Sequence, residues 1–220
     1  MGLAVRTFRA APGAAALHGA DASIMLAAPP LRPRMDVGTA HERLAESRIV
    51  LLLVDFINPF EFAGADRLAA GAVAAARASL RLKRALTREL FCTVYANDNY
   101  GVWQSEFSDV LRRCTRMQGP PGEIARMLAP EGPELTILKP RHSAFYGTPL
   151  DLLLTQLHAQ ELILTGLTAD ICVQLTAMDA YIRGYRIRVP ANCTAAESPE
   201  RKEAALDYMG RVLKCDTAPL

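Results

Sequence analysis

Short apolar runs that stop at a chemically active residue recur along this chain, and a helical pattern follows each of them. Ile49-Val50-Leu51-Leu52-Leu53-Val54 ends in Asp55, Leu135-Thr136-Ile137-Leu138 ends in Lys139, and Leu162-Ile163-Leu164-Thr165 stops at Gly166, just before Cys172. A continuous apolar run of this length reads as a strand buried on both faces. Strands of that kind, alternating with amphipathic helices over short links, predict a parallel sheet covered on both sides, a three-layer α/β fold. Ligands of such sheets bind beyond the carboxyl ends of the strands, where Asp55, Lys139 and Cys172 all fall.

The remaining elements follow the same alternation. Helices are expected over Ala65 to Thr87, Gln104 to Arg113, Ile124 to Leu128, Pro149 to Leu157, Asp170 to Arg183 and Pro199 to Leu213. Gly119-Pro120-Pro121-Gly122 reads as a break, and Thr148 as the cap of a helix with Pro149 in its first turn. Further strands are expected over Leu90 to Ala96, Glu161 to Thr165 and Arg186 to Val189, with a short sixth around Cys193. Asn97 to Gly101 is a loop by composition. Residues 1–44, rich in Ala, Pro and Gly, do not fit this pattern and form an N-terminal extension to a domain over 45–220. Two readings of the extension stay open: a targeting segment, or an unstructured or upstream-translated stretch with Met25 or Met35 as the start.

Charge and cysteine content narrow the class. Twenty-five basic and 23 acidic residues leave a net charge of +2, dispersed rather than clustered, so no nucleic-acid footprint is expected. No apolar run approaches the roughly 20 residues of a membrane span. Five cysteines, widely spaced and without a C-x-x-C pair, argue against a disulfide framework or structural zinc. Reduced thiols in a cytoplasmic protein are the simpler expectation.

Cys172 stands where a helix begins, and the unpaired N–H groups and dipole of a first turn favour its thiolate. Taken singly, each group has an ordinary reading. A lone Cys is a small buried hydrophobe, an Asp at a strand end forms a turn, and a Lys before Pro is solvated. Taken together, three strands deliver matched groups to one edge.

The blocks Leu52-Leu53-Val54-Asp55 with Asn58-Pro59-Phe60, Lys139-Pro140-Arg141-His142-Ser143-Ala144-Phe145, and Thr165-Gly166 through Cys172-Val173 to Thr176-Ala177, Asp179-Ala180 and Arg183-Gly184-Tyr185 resemble the isochorismatase-like cysteine hydrolases. The resemblance covers about Ser47 to Thr194. It implies a six-stranded parallel sheet of Rossmann-type topology and an Asp–Lys–Cys triad at Asp55, Lys139 and Cys172. It also implies a cis Leu167–Thr168 peptide, an oxyanion hole from the N–H groups of Thr168 and Cys172, and a homodimer or homotetramer. The implied activity is cleavage of a C–N bond in a small amide, carbamoyl or ureido substrate. Isochorismate vinyl-ether hydrolysis and a non-catalytic ligand-binding relative are the alternatives.

Two departures matter. Nicotinamidases of this superfamily carry Asp-x-His after the second strand to hold a metal, whereas this chain has Asn97-Asp98-Asn99-Tyr100 and no histidine there. No metal or other cofactor is therefore expected. Ala169 replaces a Thr that would help cap the helix, a role Asp170 is expected to take. Phe60, Asn97, Trp103, His142, Phe145 and Tyr146, in loops at the active edge, are the candidate substrate-binding residues. For His142, bonding a backbone carbonyl to fix its loop is the competing role.

Overall fold

In the computed structural model, residues 44–86, 92–132 and 134–219 are described. The N-terminal extension and the Leu90 start of the second strand lie outside that set. β1 (Ile49–Val54), β2 (Cys92–Asp98), β3 (Leu135–Lys139), β4 (Glu161–Leu167), β5 (Arg186–Arg188) and β6 (Thr194–Ala195) form one parallel sheet. The order is β3-β2-β1-β4-β5, and β6 takes over from β5 along the last residues of β4.

Alternation along β1 splits the core. Leu51 and Leu53 face α1 (Ala65–Leu86), α2 (Phe107–Arg116) and α3 (Pro120–Met127), together with Leu68, Phe107 and Ile124. Val50, Leu52 and Val54 face α4 (Leu150–Gln156), α5 (Gln174–Ile182) and α6 (Pro199–Arg211), together with Leu154, Ala177 and Met209. The whole of β1 from Val50 onward is sealed from solvent. These are the three layers expected of a strand that is apolar at every position. Among the described residues no helix is long and apolar enough to cross a membrane.

Several boundaries differ from expectation. The segment Gly119-Pro120-Pro121-Gly122 does not break a helix but opens α3. Gly119 sits at φ 71° as its N-cap, and the prolines occupy the first turn, where a missing N–H costs nothing. α2 starts at Phe107, three residues later than its pattern suggested, behind a reciprocal cap between Glu106 and Asp109. Pro149 flanks α4 rather than entering it, while Thr148 Oγ1 accepts a hydrogen bond from the Leu150 N–H at 3.2 Å. The expected helix over Asp170 to Arg183 begins as a π-helical turn, Ala169–Val173, and only then becomes α5. Asp170 does not cap it; its carboxylate pairs with Arg201 of α6 at 2.5 Å.

Gly166 fixes the height of that turn above the sheet. It lies at φ 131° opposite Val54, and a Cβ there would stand 2.0 Å from the Val54 carbonyl oxygen. Only glycine tolerates both the backbone angle and the approach. Gly166→Ala is expected to destabilise the protein by about 3 kcal/mol or more, because the obstacle is backbone that cannot rotate away. Urea denaturation would measure it, and a loss under about 1 kcal/mol would contradict the stated contact.

Candidate active site

The carboxyl ends of β1, β3 and β4, with β2 between the first two, build the site. Asp55 follows β1 with φ 52°, a left-handed conformation that Asp tolerates, and its N–H donates to Ala96 O at 3.0 Å. Lys139 is the last residue of β3, in register with Asp98 at the end of β2. Cys172 lies in the π-helical turn after β4, where the N–H groups of Ile171 and Val173 both reach back to Thr168 O. Such turns wind the helix locally wider and are frequent at functional sites. The Leu167–Thr168 peptide that leads into the turn is cis.

Lys139 is fully buried, and its ammonium is the hub. Nζ lies 2.7 Å from Asp55 Oδ2, 3.2 Å from Arg141 O and 3.8 Å from Cys172 Sγ. The other Asp55 oxygen accepts the Asp98 N–H at 2.7 Å. Asp98 Oδ2 stands 3.8 Å from Lys139 Nζ. On the far side of the thiol, His142 Nδ1 approaches Sγ at 3.7 Å. The three groups named from sequence therefore meet around one sulfur.

Electrostatics correct one expectation. Burial raises the Asp55 carboxyl above its ordinary value, although Lys139 pulls the other way. Burial opposes the Lys139 charge, yet Asp55, the Cys172 sulfur and Asp98 together more than offset it and hold the ammonium. For Cys172, burial first and the Asp55 charge second push the thiol well above its ordinary value, against the pull of Lys139. The first-turn dipole does not prevail, so the resting sulfur is a thiol facing a carboxylate, not a free thiolate.

The candidate pocket residues separate into groups. Phe60, half-buried at φ 57°, stacks on Phe62 with ring centroids 6.2 Å apart. Asn97 is sealed from solvent and braces the β1 loop, Nδ2 donating to Ile57 O at 2.5 Å while its Oδ1 is unpartnered. Thr168 Oγ1, beside the thiol-bearing turn, is likewise buried without a partner. Trp103 and Tyr146 stand in solvent, 80% and 64% exposed. Phe145 does not line a cleft: it is buried, stacked on Tyr185 and covered by the Arg183 guanidinium at 4.5 Å. An aromatic in a loop next to a lysine read as pocket surface, but the loop folds inward there.

Two residues near the site were not singled out by sequence. Tyr100 directs its hydroxyl to Ile57 O at 3.3 Å, where burial first and the Asp55 charge second push its phenol up. Asp98 touches both Asp55 and Lys139. Both were hidden inside a segment whose polar, turn-rich composition reads only as loop, with Asn97 separating Asp98 from the apolar run before it. A largely apolar cavity of about 180 Å³ opens alongside, lined by Pro59, Asn99, Tyr100 and Val102 among others.

Among the described residues no group of three or more His, Cys, Asp or Glu side chains is placed to hold a metal ion. The donors near Asp98 do not fit one either. Both Asp55 oxygens are already engaged, which leaves carboxamide oxygens and the Asp98 carboxylate, a poor set for a transition ion.

Comparison with known proteins agrees with this architecture. The isochorismatase domain model matches residues 50–216. The isochorismatase family protein YaaI of Bacillus subtilis is 39% identical over 74% of this chain and 89% of its own length. Maleamate amidohydrolase of Pseudomonas putida is 29% identical over 71% of this chain and 76% of its own. The crystal structure of N-carbamoylsarcosine amidase from Thermoplasma acidophilum superposes with a TM-score of 0.61 at 28% identity, covering 78% of this chain and 96% of that one. Nicotinamidase of Staphylococcus aureus, 23% identical with a TM-score of 0.61 over 78% of this chain and 98% of its own, shares the fold. A domain match across the entire sheet, with relatives aligned over most of their length, makes this chain a hydrolase of the isochorismatase family.

Proposed function

We infer that the chain is a cysteine hydrolase that cleaves the C–N bond of a small amide, carbamoyl or ureido compound through a thioester. One observation carries the reading: a buried ammonium joins a carboxylate, at 2.7 Å, to a thiol, at 3.8 Å, at the ligand-binding edge of a parallel sheet. The amidohydrolase and amidase names of two relatives support the reaction type.

The chemistry follows from the protonation states. Cys172 rests as a thiol, so its proton must leave as the sulfur attacks the carbonyl carbon. Asp55, whose carboxyl burial raises above its ordinary value, is the base that accepts it. The carbonyl electrons move to oxygen, and the N–H groups of Thr168 and Cys172 are the donors suited to receive that charge. Asp55 then returns the proton to the leaving nitrogen, the C–N bond breaks, and a thioester remains. Water attacks the thioester, again with Asp55 taking the proton, and the thiol is restored. Lys139 keeps the charge of the site balanced throughout and holds the carboxylate toward the sulfur. No step calls on a metal, in keeping with the donor set.

Hydrolysis of the isochorismate vinyl ether is the rival chemistry. It needs a general acid but no nucleophile, so Cys172→Ala separates the two. Amide hydrolysis, followed as ammonia release across a panel of small amides, should fall at least about 1000-fold in kcat. Retention of activity in that variant would overturn the thioester mechanism.

The raised carboxyl gives a second test. Asp55 loses its basic form as pH falls through its folded pKa, so the acid limb of kcat/KM should lie above the ordinary 3.8 of an aspartate. Asp55→Asn removes the charge that opposes the thiolate. The Cys172 titration, followed by thiolate absorbance, should therefore move down from its wild-type position while turnover is lost. An upward or absent shift would contradict the assigned interaction.

A further inference from the structure

Asp98 is the second carboxylate of a site with one ammonium. Its Oδ1 accepts the Tyr100 N–H at 2.6 Å, which pins the side chain at the end of β2. Among the described residues its Oδ2 has the long approach to Lys139, at 3.8 Å, beyond hydrogen-bonding range. Lys139 has three N–H donors, and Asp55 Oδ2, Arg141 O and Cys172 Sγ already face them. Asp55 at 2.7 Å is the natural counter-charge of that ammonium, which leaves the Asp98 charge largely uncompensated. The Asp98 side chain keeps 31% exposure, in contrast to the sealed Lys139 and Asp55, so it stands on the open side of the site. Two steps of 3.8 Å, through Lys139 Nζ, connect its oxygen to the sulfur. Its charge also opposes ionisation of Cys172 and Tyr100.

We propose that Asp98 is the specificity-determining residue of this site, selecting amides that are neutral or cationic near the scissile carbonyl and rejecting those with a carboxylate there. The inference rests on Cys172 as the attacking group. A substrate carboxylate beside the scissile carbon must approach an unneutralised like charge next to the buried Asp55–Lys139 pair, and such juxtaposition works as a repulsive filter. A primary carboxamide or an ammonium at the same position can instead donate to the free Asp98 oxygen. Asp98 acts on which substrate enters; it takes no part in proton transfer.

Thiol-alkylating reagents of different charge test this without knowledge of the substrate. Alkylation of Cys172, followed by mass spectrometry of its peptide, is compared for neutral iodoacetamide, anionic iodoacetate and cationic 2-bromoethylammonium. Each rate is normalised to that of glutathione. Wild type should disfavour iodoacetate at least about 10-fold beyond the glutathione ratio and favour the cation. Asp98→Asn should recover most of the iodoacetate rate, and Asp98→Glu should keep the discrimination. Succinamide and succinamate, which differ by one carboxylate, supply the substrate arm, and Asp98→Asn should lower KM for succinamate more than it alters kcat. A normalised wild-type ratio near one overturns the proposal without any variant, as does a ratio unchanged in Asp98→Asn. Absence of amide hydrolysis with the alkylation ratios as expected would remove the hydrolytic reading instead and leave the charge filter standing.

Discussion

A fully buried ammonium is the constraint around which this site is organised. An isolated charge of that kind would cost several kcal/mol to bury, and it persists because Asp55 lies 2.7 Å away. That pairing requires the ends of β1 and β3 to be held two strands apart with β2 between them, as the sheet order does. Cys172 enters from β4 on the other flank of β1. The site is thus a property of strand order: a permuted sheet would separate an uncompensated lysine from its carboxylate.

The loop after Lys139 shows how the rest of the motif serves that pairing. Ser143 Oγ donates to Asp179 Oδ2 at 2.5 Å, and Thr176 Oγ1 accepts the Ala144 N–H at 3.0 Å. Asp179 in turn pairs with Arg183 at 2.8 Å, and Arg183 covers Phe145. Residues that look in sequence like an extended active-site signature therefore lash the lysine loop to α5. On the other side, Asp170 in the π-helical turn is tied through Arg201 to Glu197 and Arg67. The turn that carries the thiol is clamped from both directions.

The layers, the parallel sheet and the positions of Asp55, Lys139 and Cys172 were legible because they depend on uninterrupted apolar runs and on what ends each run. Less legible were features decided by tertiary context. The prolines at 120 and 121 read equally as a break or a helix start until Gly119 is seen to cap them. The raised thiol arises from burial and from the Asp55 charge, and neither it nor the π-helical turn is encoded in a local pattern. Phe145 misled because aromatic character marks a pocket and a core alike, and only the position of Arg183 decides between them. Asp98 ends β2, but Asn97 before it already read as the start of a run of turn formers.

The reacting groups sit on rigid strand ends and a clamped turn, whereas Phe62, Val102, Trp103 and Tyr146 project from connecting segments into solvent. Asp98 apart, the exposed surface around the site is thereby carried by segments separate from the reacting groups. A descendant of this protein could acquire a new diet by rewriting those outer segments, with every atom of the reaction centre left where it stands.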